Sequence, residues 1–519
     1  MSMTATPPVL VEVLAETPAV SAKGAVFALA AASLAMSVDP SVHNIAFVGA
    51  ANQLGMTGDQ RSLVASIGTL CIAASILATG SLGDRLGRKK IMLGGLLLAA
   101  VASVVTALAR NTAMFTLGRV LAGVGYAASF GLAFALLRAV APQEAQLSRA
   151  VAHWLALQTV GVVVLGLLGG YLAGVGWRTA YLLPGAIAIL AFFYCMFRVP
   201  EAKADDAGPF DAIGLLLVAV GLVSALYGVS NSASAGWSSA RVLAPLGIGL
   251  LVLLAFAIYE LRLQRPAFPI RLFADPEMAV AGVTGVAFNL GNAILVLQLS
   301  LLWQYLYRYS PFKVSFCLMP FSVASILGAS WVGSLLARGV ANRILIPLGL
   351  LAVAASIVFM GFASASTPYL FFLAPLMLAG VGLMFAQTPA ARLFVSKSPP
   401  DLVGALGSSR TFFGQFGFAL GLALSSSILY GLLGPSLHAR LVSAGAAPAE
   451  LVQATGIVQS YIHVGSARAF NPQIVYQVLN EARAAYLSSY RIMMLIMAGV
   501  IALIGGLIFW RLPSGNSHV

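Results

Sequence analysis

The stretch GSLGDRLGRKK, residues 80–90, concentrates charge in a chain that has very little of it. It holds one acid and four bases in eleven residues, whereas only 9% of the 519 residues are charged. Long apolar runs lie on both sides of it. This is the composition of a short polar loop that connects two membrane-spanning segments.

The composition of the whole chain requires a helical membrane protein with many spans. Hydrophobic residues make up 60% of the chain, and the mean hydropathy is +0.94. An ordinary soluble domain is about half apolar and about a quarter charged. A transmembrane β-barrel would show alternating segments of about ten residues rather than long apolar runs. We therefore expect an all-α polytopic fold.

Fourteen apolar runs are long enough to cross a bilayer as helices. They are centred on residues 25–49, 62–82, 91–109, 114–137, 151–174, 179–197, 212–230, 242–262, 278–305, 315–336, 344–363, 369–389, 405–430 and 487–510. The connections on the side of the N-terminus hold eighteen bases, and those on the other side hold ten. The positive-inside rule then predicts cytoplasmic termini, and we expect a multi-pass protein of the plasma membrane.

The spans divide the chain into two bundles of six helices with two additional helices between them. The predicted units are a cytosolic tail (1–24), a first six-helix bundle (25–200), two inserted helices (201–272), a second six-helix bundle (273–512) and a short cytosolic tail (513–519). The second bundle includes an extracytoplasmic loop, 431–486. Its segments PAELVQATGIVQSYI and NPQIVYQVLNEARAAYL have helix-like apolar spacing and predict short amphipathic helices.

The two bundles are related by an internal repeat. A shift of 253 residues places GSLGDRLGRKKIML (80–93) on GSLLARGVANRILI (333–346). The same shift places Asp39 on Asn292 and Gly161 on Gly414. Repeats of this kind are common in transporters.

Nucleic-acid binding, metal binding and catalysis are not indicated. The net charge of +13 comes from bases in short gaps between spans, which topology explains. Cys71, Cys195 and Cys317 are scattered through apolar segments and have neither disulfide nor metal spacing. The sequence contains no GxxxxGK[ST], HExxH or GxSxG motif. We expect no cofactor and no enzymatic activity.

Asp39 is the one acid of sixteen that lies well inside a predicted span. An acid at mid-membrane costs at least about 2.5–3.5 kcal/mol on insertion scales, so such residues are candidates for function. Pro40 follows it and can kink the helix, and His43 lies on the same helical face. Asp39 and His43 could relay a proton, or they could form a polar cluster that fixes helix packing.

The loop at residues 80–90 also carries a family signature. The pattern glycine-x-leucine-x-acid-arginine-x-glycine-arginine-basic is filled by Gly80, Leu82, Asp84, Arg85, Gly87, Arg88 and Lys89. Over nearly its whole length the chain resembles the major facilitator superfamily, in its fourteen-helix drug:proton antiporter branch. The resemblance implies that this loop is a conformational switch between the two bundles. On physical grounds the bases could also serve only as a topological anchor.

Two more signatures of the family lie in the first bundle. The first-helix pattern aspartate-x-threonine-x-x-asparagine-x-alanine is filled, with serine for threonine, by Asp39, Ser41, Asn44 and Ala46. Arg119, followed by Gly123, matches the arginine of the fourth helix. We expect proton coupling to involve Asp39, His43 and Arg119. The alternative for Arg119 is a position close enough to the interface to reach water.

The fifth predicted helix resembles the glycine-rich helix of the family's antiporters. Gly161, Gly169 and Gly170 match its glycines, and the resemblance gives them a role in gating. Leu165 and Gly166 occupy the places of the family's glycine-proline pair. Small residues allow close approach of helices.

The predicted substrate cavity is mostly apolar, with a few amides and aromatic rings. Such a lining suits a bulky lipophilic ligand, although each amide could instead form an interhelical hydrogen bond. The candidate substrate-binding residues are Asn44, Asn289, Asn292, Gln298, Trp303, Gln387, Phe412, Gln415 and Phe416.

The predicted function is export of hydrophobic or amphipathic, drug-like compounds by proton-coupled alternating access. The expected partners are a small lipophilic substrate, protons and membrane lipids, with no nucleic acid. We expect a monomer, because one chain contains both bundles. The alternative is a lipid or glycolipid transporter of the same fold, without a requirement for proton coupling.

Overall fold

The helices of the structure follow the apolar runs. The computed structural model describes residues 22–141, 143–203, 211–263, 266, 268–396, 403–444 and 472–512. Within these ranges the chain forms fifteen α-helices, one 3-10 helix (Ile270–Ala274) and no strand. The first bundle comprises α1 (Ala22–Gln53), α2 (Gly58–Leu86), α3 (Arg88–Ala107), α4 (Thr112–Val140), α5 (Glu144–Val175) and α6 (Trp177–Arg198).

The inserted helices and the second bundle complete the chain. The inserted helices are α7 (Ala212–Ala235) and α8 (Ala240–Arg262). The second bundle comprises α9 (Pro276–Tyr305), α10 (Pro311–Cys317), α11 (Met319–Ala337), α12 (Asn342–Gly361), α13 (Leu370–Ser396), α14 (Val403–Ser443) and α15 (Pro472–Arg511).

Fourteen of the helical segments in the described ranges are long and apolar enough to cross a membrane. The short α10 and the following α11 together form one crossing, Pro311–Ala337. The predicted all-α fold with fourteen spans is confirmed. The chain is therefore a multi-pass membrane protein.

The internal repeat is visible in the helix boundaries. A shift of 253 residues places the start of α1 within one residue of the start of α9, and the start of α3 within one residue of the start of α12. Each bundle also turns at a glycine with positive φ after its second crossing. These are Gly87, with φ of 113°, and Gly339, with φ of 80°. The two bundles therefore enter the membrane in the same direction.

Polar caps define where several helices begin. The Thr57 side chain accepts a hydrogen bond from the Gln60 backbone N–H, and the Gln60 side chain accepts one from the Thr57 backbone N–H, so a capping box starts α2. The Asp275 side chain accepts from two backbone N–H groups at the start of α9, and Pro276 takes the first helical position. These caps satisfy backbone donors that a helix end otherwise leaves unpaired.

The two sides of the bundle are named here from the course of α1. The face at which α1 begins is the proximal face, and the face at which it ends is the distal face. The bundles meet most extensively along two lines of contact, α2 with α14 and α5 with α10, and α1 also contacts α9. The inserted helix α7 packs against both α2 and α14. It therefore lies beside one of the two contact lines.

The region predicted as the loop 431–486 is organised differently at both ends. Helix α14 continues through Pro435 to Ser443, and α15 already begins at Pro472. From Pro472 onward, the segment NPQIVYQVLNEARAAYL is therefore the first part of the last helix rather than a separate amphipathic helix. No helix breaker separates it from the apolar run that follows. The segment PAELVQATGIVQSYI lies outside the described residues, as do most of both predicted tails.

Candidate functional site

Asp39 and Arg119 form a buried ion pair in the middle of the first bundle. The Arg119 Nη1 donates to Asp39 Oδ1 at 2.8 Å, and Nη2 donates to Oδ2 at 2.6 Å. The Tyr126 hydroxyl also donates to Oδ1 at 3.2 Å. Asp39 and Arg119 are each 4% exposed. Arg119 therefore reaches the acid and not the interface, and two-point pairing of this kind fixes both side chains.

Glycines on α2 and α4 make room for the Arg119 side chain. A Cβ built at Gly68 would lie 2.9 Å from Arg119 Nη2, so a larger residue would displace the guanidinium. A Cβ at Gly123 would lie 2.6 Å from the Cys71 Cβ and would also meet the Gly68 carbonyl. Close contact of α2 with α4 thus brings the arginine to the acid on α1.

His43 lies beside this pair and has a different direct partner. Its Nδ1 is 2.7 Å from the Tyr181 hydroxyl. The Arg119 guanidinium lies over the Tyr181 ring, with 5.6 Å from Cζ to the ring centroid. His43, Asp39 and Arg119 thus belong to one buried network, and Tyr181 connects the histidine to the arginine.

Within the stretch 80–90, the connection between two helices is only one residue long in the structure. Helix α2 ends at Leu86 and α3 begins at Arg88, so only Gly87 lies between them. Its φ of 113° is a conformation that residues with a side chain rarely adopt. Asp84 accepts a hydrogen bond from Arg88 Nε at 2.7 Å, and both side chains are partly exposed.

Glu201 holds this loop to the end of the sixth helix. Its Oε1 accepts from the backbone N–H groups of Lys89, at 2.9 Å, and Ala202, at 3.1 Å. The Ala202 carbonyl accepts from the Arg88 backbone at 2.9 Å, and Lys89 Nζ donates to the Met196 carbonyl at 2.8 Å. The carboxylate thus sits at the N-terminus of α3, where negative charge is favourable.

The other loop residues lie nearer the second bundle or within the turn. A Cβ at Gly80 would lie 3.5 Å from the Ser408 hydroxyl of α14. The Arg85 Nε is buried. The signature residues therefore lie at two contacts, that of α2 with α14 and that of α3 with Glu201.

The three glycines of α5 contact two different partners. A Cβ at Gly161 would lie 2.8 Å from Leu34 Cδ2 on α1, and one at Gly169 would meet Val42 on the same helix. A Cβ at Gly170 would lie 2.8 Å from the Ser315 Cβ on α10, in the second bundle. Two of these glycines thus pack the first bundle, and Gly170 lies in the contact between bundles.

The candidate amides of the first and ninth helices lie in different surroundings. Asn44 is 1% exposed, and neither atom of its amide has a hydrogen-bond partner among the described residues. Gln298 is fully buried and donates to the Ser425 hydroxyl at 2.9 Å. Asn289 donates to the Gly285 carbonyl of its own helix at 3.0 Å. Asn292, Gln387 and Gln415 are partly buried.

The candidate aromatic residues also separate into two groups. Trp303 is fully buried among aromatic rings of the second bundle, with Phe372 5.5 Å away between centroids. Phe412 and Phe416 stack on α14 at 6.3 Å. Phe268, in the connection between α8 and α9, packs on Phe412 at 5.3 Å. The structure thus brings Phe412 and Phe416 together and places Trp303 in the core.

Hydrogen bonds between the bundles occur on the distal face. The Ser300 hydroxyl donates to the Asn44 carbonyl at 2.8 Å, and the Tyr305 hydroxyl donates to Asn52 Oδ1 at 3.1 Å. Arg61 Nη1 donates to the same tyrosine hydroxyl. Helices α1 and α2 are thus tied to α9 where their distal ends meet.

Sequence reasoning missed four of the residues that complete this arrangement. Tyr126 lies seven residues after Arg119, which places both on one face of α4, so helical spacing could have found it. Glu201 lies three residues after the end of α6, among the other charged residues of the stretch RVPEAKADD, and nothing in the sequence distinguishes it from them. Tyr181 and Arg61 have partners that are far away in sequence and had no local signal.

A family model for the Major Facilitator Superfamily matches residues 25–422. The chain belongs to this superfamily. Among its curated relatives is the puromycin resistance protein pur8 of Streptomyces alboniger, 29% identical over 435 residues, which cover 82% of this chain and 84% of the relative. The cephamycin export protein CmcT of Amycolatopsis lactamdurans is 28% identical over 398 residues, covering 75% and 82% of the two chains.

Relatives and solved structures agree with a superfamily transporter. The multidrug resistance protein Stp of Mycobacterium tuberculosis is 26% identical over 407 residues, covering 78% of this chain and 75% of that protein. A bacterial homologue of the human lysosomal transporter Spinster, solved in an inward-facing and unoccupied conformation, has a TM-score of 0.65 at 14% identity. The match covers 95% of this chain and 98% of that one. The predicted family and fold are confirmed.

Proposed function

We propose that this superfamily member exports hydrophobic or amphipathic compounds and is driven by protons through Asp39. The observation that carries the proposal is the buried two-point pair of Asp39 with Arg119. A carboxylate that is paired only by one guanidinium and one phenol can take up a proton when that pairing opens. The names of the relatives, which include resistance and export proteins, support a drug-like substrate class.

The pairing suggests how proton uptake drives the conformational cycle. Protonation of Asp39 removes the charge that holds Arg119, so the guanidinium must find other acceptors. His43 and Tyr181 lie next to the pair and can accept or pass on the proton. Each proton that moves inward down a potential of 100 mV contributes about 2.3 kcal/mol. Asp39, His43 and Arg119 are thus the proposed coupling residues.

The conformational roles follow from the contacts between bundles. The distal hydrogen bonds favour a state in which the distal side is closed. We assign the proximal loop with Gly80, Asp84 and Arg88 to the switch, and Gly170 to closure of the distal side. In this proposal the distal face is extracytoplasmic, both termini are cytoplasmic, and the protein works as a monomer in the plasma membrane.

The proposed substrate route runs between the bundles and is mostly apolar. Its polar contacts come from the partly buried amides Asn292, Gln387 and Gln415, and its aromatic surface from Phe412 and Phe416. Few charges on such a route favour neutral or weakly charged amphiphiles.

Transport in reconstituted vesicles tests the proposal. The wild-type chain, Asp39→Asn and Asp59→Asn are reconstituted, and puromycin accumulation is measured with and without an imposed pH gradient. Asp59 is the matched control because it is only partly buried, lies in the first turn of α2 and accepts a hydrogen bond from Ser234 rather than from a cation. We expect accumulation to follow the gradient in the wild type and Asp59→Asn, and to lose that dependence in Asp39→Asn.

The outcomes also separate the lipid alternative. Accumulation that ignores the gradient in all three proteins contradicts proton coupling. If puromycin is not moved but a fluorescent phospholipid crosses the membrane at a gradient-independent rate, the chain is a lipid transporter of the same fold. Equal activity of Asp39→Asn and wild type under a gradient contradicts the role of Asp39.

A further inference from the structure

Two tyrosine hydroxyls contact a buried guanidinium on the distal side of the molecule, and further buried hydroxyls of α15 lie next to those tyrosines. The distal polar cluster comprises Arg61 on α2, Tyr305 on α9, Tyr430 on α14, and Tyr486, Ser489 and Tyr490 on α15. It lies where the distal ends of both bundles meet, well away from Asp39. None of its members belongs to the predicted coupling or substrate residues.

Arg61 is a buried cation with an unusual set of partners. It is 8% exposed, its Nε donates to the Met56 carbonyl at 2.9 Å, and its Nη1 donates to the Tyr305 hydroxyl. Within the described part of the chain, no carboxylate lies within 4 Å of it. By contrast, Arg119 has Asp39, and Arg440 on the same face lies 3.9 Å from Glu481. The positive charge of Arg61 is therefore not neutralised by any of these residues.

Several buried hydroxyls of the distal polar cluster have no hydrogen-bond partner among the described residues. The oxygen atoms of Tyr486, Ser489 and Tyr490 are buried and have no hydrogen-bond partner among the described residues, whereas the Tyr430 hydroxyl is directed at Arg61. Tyr430 lies within electrostatic range of Arg61, and Tyr486 within range of Tyr430, Tyr490 and Tyr305. Buried polar groups without partners are rare in folded proteins and call for an explanation.

The chemistry of the cluster selects one class of ligand. A guanidinium presents donors in a planar fork that fits carboxylate and phosphate groups, and each phenol or serine hydroxyl can add a donor. A cation would be repelled by Arg61, and an apolar group would leave the hydroxyls unsatisfied. An oxyanion would neutralise the charge and accept the hydrogen bonds together.

Opening of the distal side would make this site available. The bond between Arg61 and Tyr305 joins the two bundles, so separation of the bundles must break it. We propose that the distal polar cluster then binds an oxyanion, a carboxylate or phosphate group, in the place that the Tyr305 hydroxyl occupies in the closed state. The ligand is either a free anion or the acidic head of an amphipathic molecule. This binding does not depend on proton coupling or on the direction of transport.

Stabilisation of the purified full-length protein against heat tests the proposal. The probes are inorganic phosphate against chloride at equal ionic strength, and dioctanoyl phosphatidic acid against dioctanoylglycerol, which lacks the phosphate. The variants are Arg61→Gln and Tyr490→Phe. Arg178→Gln is the matched control, because Arg178 is a distal cation that bonds Gln53 and the Ala109 carbonyl outside the cluster.

We expect phosphate or phosphatidic acid to raise the melting temperature of the wild type and of Arg178→Gln. Arg61→Gln should weaken the apparent affinity about tenfold or more, since it removes a charge-assisted contact. Tyr490→Phe should weaken it severalfold without loss of folding, because the hydroxyl that it removes bonds no described residue. Protection by phosphate identifies a small anion as sufficient, and protection by phosphatidic acid alone identifies an amphiphile.

Two results would overturn the proposal. One is a wild-type protein that phosphate stabilises no more than chloride and phosphatidic acid no more than dioctanoylglycerol. The other is a loss of stabilisation in Arg178→Gln as large as that in Tyr490→Phe, which would show that general positive charge on the distal face explains the effect.

Discussion

Asp39 and Arg119 hold each other at two points, with N–O distances of 2.8 and 2.6 Å, although 80 residues separate them in the chain. Both are buried, so neither can lose its partner without leaving a charge in an apolar surrounding. This dependence makes the pair a structural element of the first bundle as well as the proposed proton site.

Arg119→Gln is expected to destabilise the protein by about 3–5 kcal/mol, because it leaves the carboxylate unpaired. The double variant Asp39→Asn, Arg119→Gln should recover most of this loss, since no charge then remains buried. Thermal unfolding of the purified proteins measures both effects. Additive losses in the double variant would show that the two residues do not stabilise each other.

Gly170→Val is expected to hold the distal side open, because its side chain would overlap Ser315 on α10. The control is Gly174→Val on the same helix, where nothing lies within 4 Å of the added Cβ. Accessibility of a cysteine introduced at Ser300 to a water-soluble maleimide reports the opening. We expect faster labelling with Gly170→Val only, and equal labelling in both variants would contradict a gating role.

Glu201→Ala is expected to loosen the start of α3, since two backbone donors lose the acceptor that they share. The loss should be about 1–3 kcal/mol, the usual cost when hydrogen bonds to a charged group are removed. Glu277→Ala offers a comparison, because it removes a carboxylate from the first turn of another helix, α9. Hydrogen exchange at Lys89 should accelerate in Glu201→Ala and stay unchanged in the comparison variant.

Asp84→Asn is expected to slow the transport cycle while the fold and substrate binding persist. The Asp84–Arg88 pair is half exposed, and surface pairs contribute about 0–1 kcal/mol, so the melting temperature should change little. Binding and transport of puromycin are measured separately. A parallel fall of both would place the effect on binding and would refute a role in conformational switching.

Gly123→Ala is expected to destabilise the protein, although it adds only a methyl group, because the new Cβ would meet the Gly68 carbonyl and Cys71. Overpacking of this kind costs about 1–3 kcal/mol. Gly94→Ala is the matched change in open space on α3 and should stabilise the helix by about 0.5–1 kcal/mol. Opposite shifts in melting temperature are therefore expected, and shifts of the same sign would contradict close packing at Gly123.

Hydropathy was sufficient for the spans but not for their ends. The run at 62–82 became a helix over Gly58–Leu86, because the helix continues to its capping box and to Gly87, past the apolar stretch. The segment before residue 487 is amphipathic, so hydropathy predicts a boundary there, although the last helix already begins at Pro472. Hydropathy indicates whether a helical segment lies in lipid or in water. Whether two such segments form one continuous helix depends on the absence of helix-breaking residues between them.

The members of the buried ion pair could be singled out from the sequence, whereas contacts between residues far apart in the chain could not. An acid in an apolar run identifies Asp39 from the sequence alone, and the family signature adds Arg119. The placement of Trp303 in a core depends on which side of α9 faces its own bundle. A helix that is apolar on all sides does not encode that direction. Contacts such as Arg61 with Tyr305, 244 residues apart, likewise require the fold.

The position of α7 gives the molecule two unequal flanks. Of the two main lines of contact between the bundles, the one formed by α2 and α14 is also covered by α7, whereas α7 and α8 do not pack on α5 and α10 within the described part of the chain. From the bilayer, the contact between α2 and α14 therefore lies behind a further helix, α7, whereas the contact between α5 and α10 does not. Under the proposed function, we expect a lipophilic substrate that enters sideways from the membrane to do so at the α5 flank.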